Sequence, residues 1–155
     1  MKPSDGLRYD HDVLRAKLAL LETYLPCGHA CGCTLSRLAD SLASCLRSHT
    51  EREERLLSAR AWRHGAPTGA SLQRLHDEHE NHRTRLAILH ELLVQPGPAA
   101  DAQVAAQASS LVRDLREHMA KEERLFPLMD QEPGEEEARM TAAAEDQAVP
   151  WLDLA

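Results

Sequence analysis

Apolar residues recur along this chain at alternating spacings of three and four, the period of a single helix face. The first such stretch carries Leu7, Leu14, Leu18, Leu21 and Leu25, with His11 in the same line, and stops at Pro26. A turn rich in Cys and Gly follows, Cys27-Gly28-His29-Ala30-Cys31-Gly32-Cys33. The second stretch carries Leu35, Leu38, Leu42, Cys45, His49, Glu53 and Leu56, and fades before Gly65-Ala66-Pro67-Thr68-Gly69. The third carries Leu72, Leu75, His79, His82, Leu86, Leu89 and Leu93, and ends at Gln95-Pro96-Gly97-Pro98. The fourth starts from Asp101 as N-cap and carries Val104, Ala108, Leu111, Leu115, His118, Glu122, Leu125 and Met129, with Pro127 disturbing its last turn. Four helices with short connections predict an all-α fold, an antiparallel up-down-up-down four-helix bundle over residues 1–131. Residues 132–155 read as a separate acidic, Ala-rich C-terminal tail that closes on Pro150-Trp151-Leu152.

Six polar residues interrupt these stripes: His11, His49, Glu53, His79, His118 and Glu122. A core-facing carboxylate without a partner is very costly, so something must neutralise them. A His and a Glu four residues apart lie on one helix face, about 6 Å apart along the axis, and both can reach a metal held between helices.

That spacing occurs twice, inside a longer repeat. His49-Thr50-Glu51-Arg52-Glu53-Glu54-Arg55-Leu56 and His118-Met119-Ala120-Lys121-Glu122-Glu123-Arg124-Leu125 share the pattern H-x-x-x-E-E-R-L. Upstream, Asp10-His11-Asp12 runs to Arg15, Lys17, Leu18, Ala19 and Leu21, as Glu78-His79-Glu80 runs to Arg83, Arg85, Leu86, Ala87 and Leu89. The chain is therefore two helical hairpins of related sequence, each offering one His from its first helix and a His plus a Glu from its second. In an up-down bundle all six fall at one depth, because His11 and His79 lie early in helices running one way and the other four late in helices running the other. Four imidazoles and two carboxylates about a pseudo-twofold axis describe a dinuclear centre, with Glu53 and Glu122 bridging and about two imidazoles on each metal. Iron, manganese and zinc all suit these donors. Glu54 and Glu123 read as solvated or outer hydrogen-bonding groups, and His64 and His90 as surface residues.

Composition narrows the function classes. Aromatic residues make up 3% of 155, too few for an ordinary β-sandwich or barrel. The formal net charge of −7 leaves no uniformly basic surface for a nucleic acid or an anionic membrane. Residues 1–6 lack the apolar segment of a secretory leader, and no stretch is long enough for a membrane helix, so a cytoplasmic protein with reduced thiols is expected.

With His11, His49/Glu53, Glu78-His79-Glu80 and His118/Glu122 followed by Glu123 and Leu125-Phe126-Pro127, the sequence resembles the haemerythrin-like family over roughly residues 5–130. The resemblance implies a non-haem di-iron site of two Fe ions, with room for an oxo or hydroxo bridge, in a bundle that binds O₂ or reacts with peroxide or nitric oxide. Oxygen-carrying members place a second His four residues from the first on the third helix, where this chain has Leu75 and Arg83. His76 and His82 flank His79 at spacings of three instead, as candidate auxiliary donors. His82 has three readings: a fifth ligand, a hydrogen-bond donor to bound peroxide, or a buried His with a backbone partner.

A narrow apolar space walled by Leu14, Leu18, Leu42, Leu46, Leu86, Leu111 and Leu115 suits O₂ or a comparably small molecule. Cys45, one turn before His49, is either a small apolar lining residue or a thiol open to oxidation. Cys27, Cys31 and Cys33 lie about 24 Å along the first helix from His11, too far to ligate the same metals. They read first as a functionless turn, and next as redox or metal-transfer thiols. Two further functions stay open: a di-iron oxidase or peroxidase acting on an organic substrate admitted near Trp151, and an iron store or donor in nitrosative or oxidative damage repair. In the latter the Cys-rich turn would serve a redox or iron-transfer partner.

Overall fold

A computed structural model describes residues 2–64, 69–94 and 98–130. The expected boundary after residue 131, the tail 132–155 and Trp151 lie outside the described residues, as do the side chains of His29 and His64. Four long helices, α1 (Asp5–Tyr24), α2 (Gly32–His64), α3 (Gly69–Leu93) and α4 (Pro98–Glu123), pack each against the next, and α4 closes the ring against α1. This is the antiparallel up-down-up-down bundle that the four stripes predict. No strand occurs among the described residues. None of their helices is long and apolar enough to cross a membrane.

The details differ from the sequence expectation where local chemistry decides. The Cys-rich stretch is helical, a 3-10 segment Leu25–Cys31 that packs against α1, α2 and α4. Along α2 the buried line runs through Leu35, Ala39, Leu42, Leu46, His49, Glu53 and Leu57, while Leu38, Cys45 and Leu56 are half-buried beside it. Small Ala39 serves the seam because it lets the helices approach, which a search for large apolar residues overlooks. α4 starts at Pro98, whose missing N–H costs nothing in a first turn, so Asp101 lies inside that turn and is not the N-cap. At its other end α4 stops at Glu123, and a turn leads into the short α5 (Phe126–Met129). That turn leaves Leu125 exposed and buries Phe126 completely.

Two apolar clusters result. The larger fills most of the bundle and includes all seven residues expected to wall the inner space. The smaller joins Leu7, Leu57, Phe126 and Met129 at the end where α1 begins. A layer of buried polar side chains lies between them in sequence on every long helix.

Candidate metal centre

Each long helix contributes its buried polar residues from a position flanked by apolar ones one or two turns away. His11 sits between Leu7 and Leu14, His49 and Glu53 between Leu46 and Leu57, His79 before Leu86, and His118 and Glu122 between Leu115 and Phe126. The helical period that turns the leucines inward therefore turns these six inward as well. All six are buried, with Glu53 0% and Glu122 3% exposed.

The structure brings the six together in two groups. Glu53, His79, His118 and Glu122 place ligand-capable atoms within 4.8 Å of one another, and so do His11, His49 and Glu122. Glu122 belongs to both. Its Oε2 lies 2.8 Å from His11 Nε2 and 3.3 Å from His49 Nε2, while its Oε1 lies 2.5 Å from His118 Nε2 and 3.8 Å from His79 Nε2. Glu53 is closer to one side, with Oε2 at 3.2 Å from His79 Nε2. Of the two carboxylates expected to bridge, Glu122 spans both groups and Glu53 gathers with the His79/His118 pair.

The outer face of the imidazoles is equally ordered. His11 Nδ1 lies 3.0 Å from Glu123, His79 Nδ1 2.9 Å from Glu54, and His118 Nδ1 3.0 Å from Glu78. His49 Nδ1 has Asp10 at 3.8 Å, beyond hydrogen-bond reach. Carboxylates accept, so these bonds place a proton on Nδ1 and leave the Nε2 lone pair pointing inward, as metal-bound histidines require. Sequence reasoning left Glu54 and Glu123 between solvent and an outer bonding role, and the structure assigns them the latter. It assigned no role to Asp10 and Glu78, although the repeated acid-His dipeptides Asp10-His11 and Glu78-His79 carried the signal.

Whether these residues suit a cation is decided by what faces what. His79 Nε2 and His118 Nε2 stand 3.2 Å apart, and with their protons on Nδ1 both present lone pairs. His11 Nε2 and Glu122 Oε2 meet at 2.8 Å on the same terms. Such lone-pair contacts repel unless a proton or a metal ion lies between them. Glu53 Oε1 and His49 Nδ1 are buried without a hydrogen-bond partner, and Glu53 Oε2 and Glu122 Oε1 face imidazole nitrogens without hydrogen-bond geometry. The donor set fits divalent cations.

The electrostatics carry the same demand for positive charge. Burial alone would lower the His79 pKa, yet the Glu122, Glu53 and Glu54 carboxylates around it push it up to about 10. His11 and His118 are raised in the same way, burial being outweighed by Glu122 with Glu123 or Glu78. Burial would also raise Glu122, but the surrounding imidazoles of His11, His118, His49 and His79 hold it far below the usual carboxylate range. Glu53 goes the other way, raised by burial and by the Glu122 charge against the lowering effect of His79.

The candidate auxiliaries separate. His82 is buried, its ring edge-on to His118 at 5.0 Å, and its Nδ1 has no partner. Burial and the neighbouring His118 and His79 lower its pKa to about 4, which keeps the imidazole neutral. His76 is exposed and lies outside the centre, its Nδ1 3.3 Å from Glu54. Cys45 is half-buried against the large apolar cluster and belongs to neither ligand group. His90 pairs with Asp40 at 3.0 Å, away from the site.

The end of the chain's described part closes the layer. Phe126 places its ring 5.3 Å from His11, under the guanidinium of Arg8 at 4.8 Å. Asp130 accepts hydrogen bonds from the Ser4 backbone N–H at 3.1 Å and from its hydroxyl at 2.8 Å. This ties the start of α1 to the segment that carries Phe126.

The family profile described as the hemerythrin HHE cation-binding domain matches residues 2–128 and, a second time, residues 70–152. The two matches begin 68 residues apart, the separation of His11 and His79, as a duplicated hairpin requires. No curated protein and no solved structure matches the chain.

Proposed function

The chain belongs to the hemerythrin HHE cation-binding domain family, and from that premise we propose that its His/Glu centre holds two iron ions and binds, or reacts with, O₂ or a comparably small molecule. The observation that carries the reading is Glu122, one buried carboxylate common to two groups of ligand atoms. A single metal would leave either His11 and His49 or His79 and His118 without a cation to face.

Bound iron supplies electrons and coordination positions beyond those filled by protein donors. The chain's own residues do the rest. Glu123, Glu54 and Glu78 orient three of the four imidazoles through Nδ1. Leu14, Leu46, Leu86 and Leu115 border the layer and keep bulk water from it. That apolar border favours a small, weakly hydrated molecule over a charged substrate. His82, neutral and with an unpartnered nitrogen beside the His79/His118 pair, is available to hydrogen-bond such a molecule.

The test is metal content followed by oxygen exposure. Protein expressed with ample iron is expected to carry about two irons per chain, as its ligand count implies. Its reduced form is expected to gain visible absorption on exposure to O₂. A preparation holding well under two metals, or one spectroscopically indifferent to O₂, peroxide and nitric oxide, overturns the reading.

A further inference from the structure

Behind each imidazole of the centre stands a carboxylate, and the two halves differ in what stands behind that carboxylate. Glu123 Oε1, which accepts from His11 Nδ1 at 3.0 Å, also accepts from the Arg15 guanidinium at 2.6 Å. Asp10, beside His49, accepts from Arg52 at 2.7 Å. Among the described residues no arginine does this in the other half. Glu54 accepts from His79 at 2.9 Å and from exposed His76 at 3.3 Å, and Glu78 pairs among the described residues with His118 alone. The sequence repeat supplies a cation at both equivalent positions, but neither is used in this way. Arg83, four residues after His79 as Arg15 is after His11, turns to Glu80 at 3.2 Å, and Lys121, the counterpart of Arg52, is exposed.

An imidazole whose Nδ1 proton is held by a carboxylate is a stronger donor at Nε2. A guanidinium on that carboxylate competes for its oxygen and draws off its charge, so the imidazole keeps less of the effect. With histidines neutral, the formal charge behind His11 and His49 is zero, Glu123 and Asp10 being matched by Arg15 and Arg52, whereas behind His79 and His118 it is −2, from Glu54 and Glu78. The His79/His118 group also gathers four ligand-bearing residues against three in the other.

We propose that Arg15 and Arg52 are positioning residues that fix the order in which the centre holds its cations, tightly at Glu53, His79, His118 and Glu122 and weakly at His11, His49 and Glu122. The inference rests on the dinuclear reading above, but on neither iron nor O₂. A centre so divided gives up one cation to a competing ligand while the other still faces Glu53 and Glu122. Both arginines are partly exposed, so water moderates the effect of each.

The test is the release of Zn²⁺, a redox-silent probe that suits the same donors, from the full chain loaded with two cations to a graded excess of chelator, followed through the nitrogen NMR resonances of the histidine rings. In the wild type His11 and His49 are expected to lose their metal-bound shifts at lower chelator concentration than His79 and His118, with affinities at least about tenfold apart. R15Q/R52Q is expected to tighten the first-released cation about tenfold, and R15Q alone about threefold, the worth of one partly exposed ion pair. R15K, which keeps the charge, is expected to release like the wild type. Circular dichroism checks that the helices persist. A merely structural role for the arginines predicts the opposite sign, because loss of support for Glu123 and Asp10 would loosen the His11/His49 cation. That loosening, unchanged release in R15Q/R52Q, or earlier release from His79 and His118 in the wild type would each overturn the proposal and leave a dinuclear centre standing. Saturation at one Zn²⁺ per chain would instead overturn the dinuclear reading, and the proposal with it.

Discussion

In the α1–α2 hairpin, Asp10 is drawn to Arg52 at 2.7 Å and stands 3.8 Å from His49, whereas in the α3–α4 hairpin Glu78 holds His118 at 3.0 Å. The two carboxylates occupy equivalent places in the repeat. Asp is shorter by one methylene, and it has a competitor in Arg52, which also donates to the Gly6 carbonyl at 3.1 Å. A side chain at Gly6 would crowd that guanidinium, since a Cβ there falls 3.2 Å from Arg52 Nη1. In the second hairpin the place of Arg52 is taken by Lys121. Other differences follow the same division. Leu14 of the first hairpin corresponds to His82 of the second, and Phe126 covers His11 while its counterpart in the repeat is Leu57. The repeat keeps the six buried His and Glu residues and lets their surroundings diverge, so the two halves of the centre are chemically unlike.

The sharpest way to break this comparison is to remove what the halves share. Glu122→Ala is expected to empty both metal positions, while Glu53→Ala, on one side, leaves the His11/His49 position partly filled; elemental analysis of metal per chain distinguishes them. In metal-free protein the Glu122 change is expected to cost about 3–5 kcal/mol by denaturant unfolding, because it strands buried histidines that the carboxylate holds charged. Equal metal loss from the two variants would show that Glu53 also bridges.

Next come the outer carboxylates. Glu54→Ala, Glu123→Ala and Glu78→Ala are each expected to weaken metal retention by about 10–100-fold, as loss of an imidazole's outer partner does elsewhere. Asp10→Ala is expected to do less, because His49 lies beyond hydrogen-bond reach of it. Chelator competition orders the four, and an Asp10 effect as large as that of Glu78 would erase the distinction between the hairpins.

A smaller effect is expected at the tie that holds Phe126 over the first half. Ser4 begins α1, and Asp130 receives both its N–H and its hydroxyl. Replacing Asp130 by Ala is expected to lower stability modestly by releasing the Ser4 N–H and hydroxyl, as denaturant unfolding at neutral pH would show. Hydrogen bonds from Ser4 and Arg8, with the Lys2 charge, hold this carboxyl below its ordinary pKa. Its contribution is therefore complete above the unfolded value of about 4 and is lost as pH falls through the lowered folded value. The wild type should lose more stability than Asp130→Ala as pH falls below the unfolded value of about 4. Parallel acid limbs for the two proteins would contradict this.

The smallest expected effect makes the halves alike. His82→Leu reproduces Leu14 and removes a buried imidazole with an unpartnered nitrogen. Metal-free protein is expected to gain about 1 kcal/mol in thermal unfolding, since the penalty of that nitrogen disappears. Iron-loaded protein is expected to bind azide about tenfold more weakly, the worth of one hydrogen bond. Unchanged azide affinity would leave His82 a packing residue.

How much of this was legible follows from the range over which each feature is encoded. The six candidate ligands could be read because helix period and residue type are local, and because H-x-x-x-E recurs with its neighbours. Glu54 and Glu123 could be located in the pattern but not given partners. Whether a second Glu meets solvent or an imidazole on another helix depends on an approach between helices that no single stripe records. His82 and His76 look alike as neighbours three residues from His79. Only the packing separates them, burying one against His118 and leaving the other outside Glu54.

Periodicity, spacing and repetition were enough to establish an all-helical bundle, its hairpin duplication and a ring of imidazoles and carboxylates at one depth. Each of these is a statement about positions along a single helix, where 1.5 Å per residue and 3.6 residues per turn leave little freedom. The choice of Glu122 as the shared carboxylate, the capture of Asp10 by Arg52 and the closure of Phe126 over His11 belong to the folded chain. They rest on differences of about an ångström between helices far apart in sequence, and hydrogen bonds that weaken steeply over that distance turn such differences into distinct partners.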